Sequence, residues 1–213
     1  MKVEWFGQAA FLLTSEAGLR IITDPYDPVI GYGEIAEEAD IATVSHEHRD
    51  HNYVAGLKGS PQAVKEAGLH EAAGIQFKGI ATFHDKSQGS ERGGNTIFCF
   101  SLDGIRVCHL GDLGHPLSDE QIAEIGQVDV LLTPVGGGPT INAAEATELI
   151  NKLRPRVVIP MHFRTEKAAL RFAAVDDFLA DKKGIIRLDS STYEVKKENL
   201  PEETQIVALK PSR

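Results

Sequence analysis

The chain lacks most of what would tie it to a membrane, a polymer or a disulfide framework. Two cysteines in 213 residues cannot staple a small secreted scaffold. Basic residues are outnumbered, 22 Lys and Arg against 31 Asp and Glu, for a formal net charge of −9. That balance opposes a nucleic-acid footprint, because neutralising phosphates needs clustered positive surface. No apolar run approaches the roughly 20 residues that cross a bilayer. The opening stretch MKVEWFGQAAFLL places Glu4 just behind Lys2 and has only a short apolar run, Ala9 to Leu13, unlike a secretory leader. These absences lead us to expect a cytoplasmic protein with no membrane partner and no nucleic-acid polymer as substrate. An aromatic share of only 7% favours a small substrate over a polymer. Small anions remain compatible, since bound divalent cations reverse the local sign of a pocket.

What is present is ordinary for a globular chain, with 42% hydrophobic and 25% charged residues. The length suits one domain over residues 1–213, and homo-oligomerisation stays compatible with it. Strands are predicted at 2–6, 9–14, 19–23 and 41–45, with a short helix around 34–39 and helix pieces at 55–57 and 62–67. The second half repeats the order: strands at 79–83, 95–100 and 105–110, a helix over 119–125, and a strand at 128–135. Asn142 and Glu145 cap a helix over 143–153, followed by a strand at 157–160. An amphipathic helix is read over 166–182, with Leu170, Val175, Phe178 and Leu179 on its apolar side. Strands at 185–188, 192–195 and 205–209 close the chain. Asp103-Gly104 marks a two-residue hairpin turn that sets Cys99 opposite Cys108. A disulfide there is conceivable, but two free thiols fit a reducing compartment better. Two hairpin-rich halves indicate face-to-face sheets with outer helices rather than one doubly wound sheet.

Against this background one stretch is crowded. Residues 45–51, SHEHRDH, hold three of the eight histidines. Side chains two apart in extended backbone point the same way, so His46 and His48 project together beyond the strand at 41–45. Asp50 and His51 follow where a helix could begin and turn back toward the same space. Imidazole and carboxylate at one strand end suit Zn²⁺ or a similar cation. Three further ligand types each follow a predicted strand: His84, Asp112 and His162. The seven residues can hold two metals, one by His46, His48 and His84, the other by Asp50, His51 and His162, with Asp112 bridging. Such a pair generates a hydroxide nucleophile at neutral pH, and Asp50 can orient water or accept its proton. His109 lies out of phase with Asp112 and is read as structural. Lys86, Arg92 and Arg164 adjoin the metal motifs and are candidates to grip a phosphate or carboxylate. In Gly136-Gly137-Gly138 a tight loop competes with a backbone N–H cradle from Gly136 and Gly137.

HEHRDH, with His84, Asp112 and His162 following in order, resembles the metallo-β-lactamase superfamily. EWFGQAAF, FHD, HLGD, LTPVGGG and IPMHF are most similar to its compact branch of ascorbate-6-phosphate lactonase-like metal-dependent hydrolases. The resemblance covers almost the whole chain. It implies an α+β fold, a four-layer αβ/βα sandwich with two mixed sheets and outer helices. It implies two divalent metal ions, Zn foremost with Mn or Fe as alternatives, and Asp24 in a supporting role. Gln8 stands where that branch often carries histidine. The superfamily name does not imply β-lactamase activity. The function expected is hydrolysis of a small ester-type substrate, a lactone or a phosphodiester, by a metal-bridged hydroxide. The alternatives are an iron-dependent oxidoreductase of the same fold and a non-catalytic metal-binding protein.

Overall fold

Tight turns set the topology. The computed structural model describes residues 1–167 and 172–213. In the first half β1 (Lys2–Gly7), β2 (Ala10–Thr14) and β3 (Arg20–Thr23) form an antiparallel meander, and β4 (Ile41–Thr43) returns parallel to β3. Two edge strands follow, β5 (Gln62–Val64) parallel to β4 and β6 (Gly68–Ala72) in the other sheet. The second half repeats the pattern. β7 (Ile75–Phe83), β8 (Gly94–Leu102) and β9 (Ile105–His109) are antiparallel neighbours, and β10 (Val130–Pro134) runs parallel to β9. The internal repeat inferred from the sequence is thus matched strand for strand in pairing sense.

β11 (Val157–Met161), β12 (Ile185–Arg187), β13 (Thr192–Glu194) and β14 (Gln205–Ala208) complete the sheets. One sheet has the order β13-β1-β2-β3-β4-β5, the other β12-β14-β11-β10-β9-β8-β7-β6. Both are mixed. Period-two alternation splits the first sheet's side chains between two clusters. Val3, Trp5, Phe11, Leu13 and Ile21 join the main core with Ile97, Phe98, Leu110 and Leu132 of the second sheet. Phe6, Ala10, Leu12 and Ile22 face outward.

That outward face carries a correction. No helix forms at 34–39; the segment between β3 and β4 is irregular apart from a 3₁₀ turn at Pro28–Ile30 and a parallel bridge from Glu38 to Lys58. Gly31, at a φ of +107°, ends the turn and Gly33 follows, so Ile35 and Ala39 keep a helical spacing without a helix. Tyr26, Tyr32, Ile35 and Ala39 still cover the sheet, and bury its apolar side chains from a loop. The piece at 62–67 is likewise not helical. Residues 62–64 form β5, held by register with β4, a non-local pairing that local propensity does not report.

The helices α1 (Asp119–Ile125) and α2 (Ala143–Leu153) fall where predicted, each opened by a capping box, Ser118 with Gln121 and Asn142 with Glu145. The third, α3 (Val175–Leu179), is much shorter than 166–182. Arg164 bridges Ala174, so this stretch pairs as backbone before helix can start. Phe178 and Leu179 are buried as expected; Leu170 lies outside the described residues. Cys99 and Cys108 are cross-strand partners and free thiols, their Sγ atoms 3.6 Å apart. No helix among the described residues is long and apolar enough to cross a membrane.

A buried carboxylate ties β9, β10 and the 3₁₀ turn at Lys197–Asn199 together. Asp129 accepts from Arg106 N and Nη2 and from Lys197 Nζ at 2.8, 2.9 and 2.8 Å. Burial opposes its ionisation, but Arg106 and Lys197 outweigh that and hold it well below the usual carboxylate range. A depressed pKa contributes stability above the unfolded value of about 3.9 and loses it as pH falls further. Asp129→Ala is therefore expected to destabilise the fold by about 2 kcal/mol at pH 7. The gap to wild type should shrink in urea titrations as pH falls from 4 to 2. A gap constant with pH would mean that packing, not charge, holds this corner.

Candidate metal centre

Strand ends deliver every predicted ligand to one edge of the sandwich, the crevice where α/β folds gather their chemistry. His46 and His48 follow β4, His84 follows β7, Asp112 follows β9, and His162 follows β11. Residues 49–51 form a turn rather than the start of a helix, closed by His51 N donating to His48 O at 2.9 Å. Gly111 makes the close approach possible. A Cβ there would lie 2.4 Å from Asn95 Oδ1 and 2.5 Å from Ser45 Cβ, and the residue takes a φ of +55°.

Asp112 sits at the middle. Its Oδ2 is 3.1 Å from His162 Nε2, 3.2 Å from His51 Nε2 and 3.3 Å from His84 Nε2. Asp50 Oδ2 lies 3.4 Å from His51 Nε2. Donor atoms of His46, His48 and His84 fall within 4.8 Å of one another, as do those of Asp50, His51, Asp112 and His162. The structure thus brings the seven residues together in the two groups read from the sequence, with Asp112 adjoining both.

Asp24, in the left-handed region at a φ of +40°, underpins both groups. Its Oδ1 accepts from Ser45 N at 2.8 Å, and its Oδ2 from Ser45 Oγ at 2.5 Å and His51 Nδ1 at 2.9 Å. Since the Ser45 hydroxyl proton goes to Asp24, Ser45 Oγ accepts from His46 Nδ1 at 2.9 Å. One carboxylate therefore fixes two tautomers, leaving Nε2 of His46 and of His51 to face the centre. His109 is not part of it. Gly111 N donates to its Nδ1, so its Nε2 donates to Ala9 O, a structural role.

Burial, with the neighbouring His51, pushes His46 down to about 3, and burial also lowers His84. Both imidazoles are neutral, the form that ligates a metal. His51 goes the other way. Burial opposes its charge, yet Asp112, Asp24 and Asp50 raise it well above its ordinary value. Asp112 and Asp50 are held low, their burial outweighed by His162 and His51 for the first and by His51 for the second. Buried His46 Nε2, His51 Nε2, His84 Nδ1, Asp112 Oδ1 and His162 Nδ1 have no hydrogen-bond partner among the described residues. Such orphans are costly in a native interior. An imidazole and carboxylate donor set with unmet lone pairs on His46 Nε2, His51 Nε2 and Asp112 Oδ1 fits a divalent cation.

Two supporting residues escaped the sequence reading, Ser45 and Asn95. Asn95 accepts from Asp112 N at 2.9 Å and donates to Leu110 O and Thr82 Oγ1. Its one available signal is an asparagine inside a strand, where the residue is disfavoured.

The substrate candidates fare unevenly. Gly136 is corrected: its N–H donates to His162 O at 3.1 Å, and a Cβ would sit 2.3 Å from that oxygen, so it packs rather than offers an amide. Gly137 is buried in the tight loop, its carbonyl accepting from Thr140. Lys86 pairs with Glu145 at the start of α2. Arg164 is exposed. Arg92 has no ion pair among the described residues and lines a groove of about 540 Å³ that reaches His46 and His48. Four amides at 87–92 hold its loop, donating to the Asp85 carboxylate at 2.8–3.1 Å.

Two facing mixed sheets with a histidine–aspartate cluster at their strand ends define a metallo-β-lactamase fold. The chain belongs to the β-lactamase superfamily, whose domain model matches residues 2–162. A solved structure of a candidate Zn-dependent hydrolase of the metallo-β-lactamase superfamily from Thermotoga maritima is 38% identical. It superposes with a TM-score of 0.82 over 98% of this chain and 97% of that one. A UPF0173 protein from Pyrococcus abyssi is 30% identical over 188 residues, 78% of this chain and 84% of the relative. A second protein of that organism, named a UPF0173 metal-dependent hydrolase, is 29% identical over 78% of this chain and 85% of its own length.

Proposed function

We propose that the chain is a dinuclear metal-dependent hydrolase acting on a small, ester-type, anionic substrate, with zinc as the leading metal. The observation that carries this reading is the pair of ligand groups, each with a buried imidazole Nε2, of His46 and of His51, that has no hydrogen-bond partner among the described residues. His46, His48 and His84 would hold one cation, Asp50, His51 and His162 the other, with Asp112 between. Bound there, divalent cations supply a Lewis acid and lower the pKa of water toward neutrality. The protein's own contribution is orientation. Asp24 sets the tautomers, and Asp50 has the most exposed of the three carboxylates, 30% against 0% for Asp24 and 2% for Asp112. Its Oδ2 is held by Gln8, so Oδ1 is the atom that takes a hydrogen bond, and then a proton, from the attacking water.

The test is metal analysis of purified protein joined to assays with lactones and aryl phosphodiesters. Two zinc or manganese ions per chain and turnover of one class are expected. Bound iron with oxygen consumption would replace hydrolysis with redox chemistry, and a metal-free protein without turnover would end the enzyme reading. Arg92→Ala is expected to raise KM for an anionic phosphodiester roughly tenfold and to leave a neutral lactone unaffected. Equal effects on both substrates would remove Arg92 from substrate binding.

A further inference from the structure

Gln8 is a buried glutamine in a place that suits glycine. It occupies the turn between β1 and β2 at a φ of +50° and is 1% exposed. Left-handed backbone is disfavoured for a residue that carries a side chain of this kind. Its Oε1 is buried with no partner among the described residues, a second cost. Among the described residues, the one hydrogen bond its side chain makes runs from Nε2 to Asp50 Oδ2, at 3.0 Å and across 42 positions of sequence. An ionised carboxylate has no proton to give, so the amide's orientation is settled: the NH₂ faces Asp50 and the oxygen turns away. The backbone reaches the same ligand group, since His162 N donates to Gln8 O at 3.2 Å. No side-chain hydrogen bond joins Gln8 to His46, His48 or His84.

We propose that Gln8 is a positioning residue for the Asp50, His51, Asp112 and His162 group, holding the Asp50 carboxylate in its ligating rotamer. This rests on the metal-dependent reading of the site. A hydrogen bond to a ligating carboxylate orients it, and losing such a partner typically costs ten- to a hundred-fold in metal affinity. A purely structural glutamine would alter stability without separating one ligand group from the other.

Zinc titration of metal-free protein against a chromophoric chelator tests this directly. Wild type is expected to bind two equivalents. Gln8→Met fills the same volume but cannot donate. It should weaken one equivalent ten- to a hundred-fold and leave the other within about twofold. In an Asp50→Ala background the same substitution should change zinc affinity no further, because the group it positions is gone. Gln8→Asn, which tolerates left-handed φ but is one methylene short, should reproduce the loss, and it serves if Gln8→Met melts early. Two equivalents of unaltered affinity in both variants would overturn the proposal, as would an undiminished effect in the Asp50→Ala background. A wild type that binds no zinc would overturn the hydrolase reading and this proposal with it.

Discussion

An Asp112→Asn variant is expected to lose stoichiometric zinc binding and at least about a thousandfold of any hydrolytic rate, while its metal-free form still folds. The reasoning starts from position. Asp112 Oδ2 is within 3.1–3.3 Å of nitrogens from both ligand groups, His84 in one and His51 and His162 in the other. A carboxamide keeps the shape and the backbone bond to Asn95 but removes the negative charge shared between the two groups. Without metal the loss is milder, because His51 keeps Asp24 and Asp50 as counter-charges. The contrast is visible in melting. Wild type should melt higher with zinc and lower with a chelator, since a ligand bound only by the folded state stabilises it. The variant should respond to neither. A variant that still binds two zinc ions would show that Asp112 does not bridge.

The part of this centre that could be read in advance is the part encoded locally. His46, His48, Asp50 and His51 sit within six positions, so spacing alone brings them together. His84, Asp112 and His162 each follow an apolar run, and strand ends in such folds converge. Behind them, Asp24 and Gln8 stood out through the resemblance, but their pairings did not. Gln8 meets Asp50 across 42 residues, Asp24 meets Ser45 across 21, and Asn95 meets Asp112 across 17. Those pairings follow from sheet order, which composition and periodicity do not report. The same physics explains the fold's departures. β5 exists through register with β4, and the loop over the first sheet buries Tyr32 and Ile35 without helical hydrogen bonds. Of the two readings of Gly136, tight loop and amide cradle, the tight loop forms, because the turn at His162 packs onto it.

Asp24 shows how far those pairings reach, and two substitutions there should diverge. Asp24→Ala strips the acceptor from Ser45 N, Ser45 Oγ and His51 Nδ1, all buried, and puts alanine at a φ of +40°. Unmet buried donors cost about 1–3 kcal/mol each, so a loss of about 4 kcal/mol or more is expected in denaturant titrations. Asp24→Asn should fold far better, since asparagine tolerates left-handed φ and its oxygen can still accept from Ser45 N. Its NH₂ then faces Ser45 Oγ and His51 Nδ1. That forces His51 to accept at Nδ1 and to carry its proton on Nε2, the nitrogen turned toward Asp50 and Asp112. A protonated nitrogen offers no lone pair, so zinc affinity of that group should fall about ten- to a hundred-fold in a protein that is otherwise intact. Nitrogen-15 NMR of the histidine rings in the variant reads this directly, as an Nε2–H tautomer where wild-type zinc protein has Nδ1–H. Unchanged tautomer and unchanged zinc affinity together would mean that Asp24 only fills space, and that the orientation of His51 is set by Asp50 and Asp112 alone.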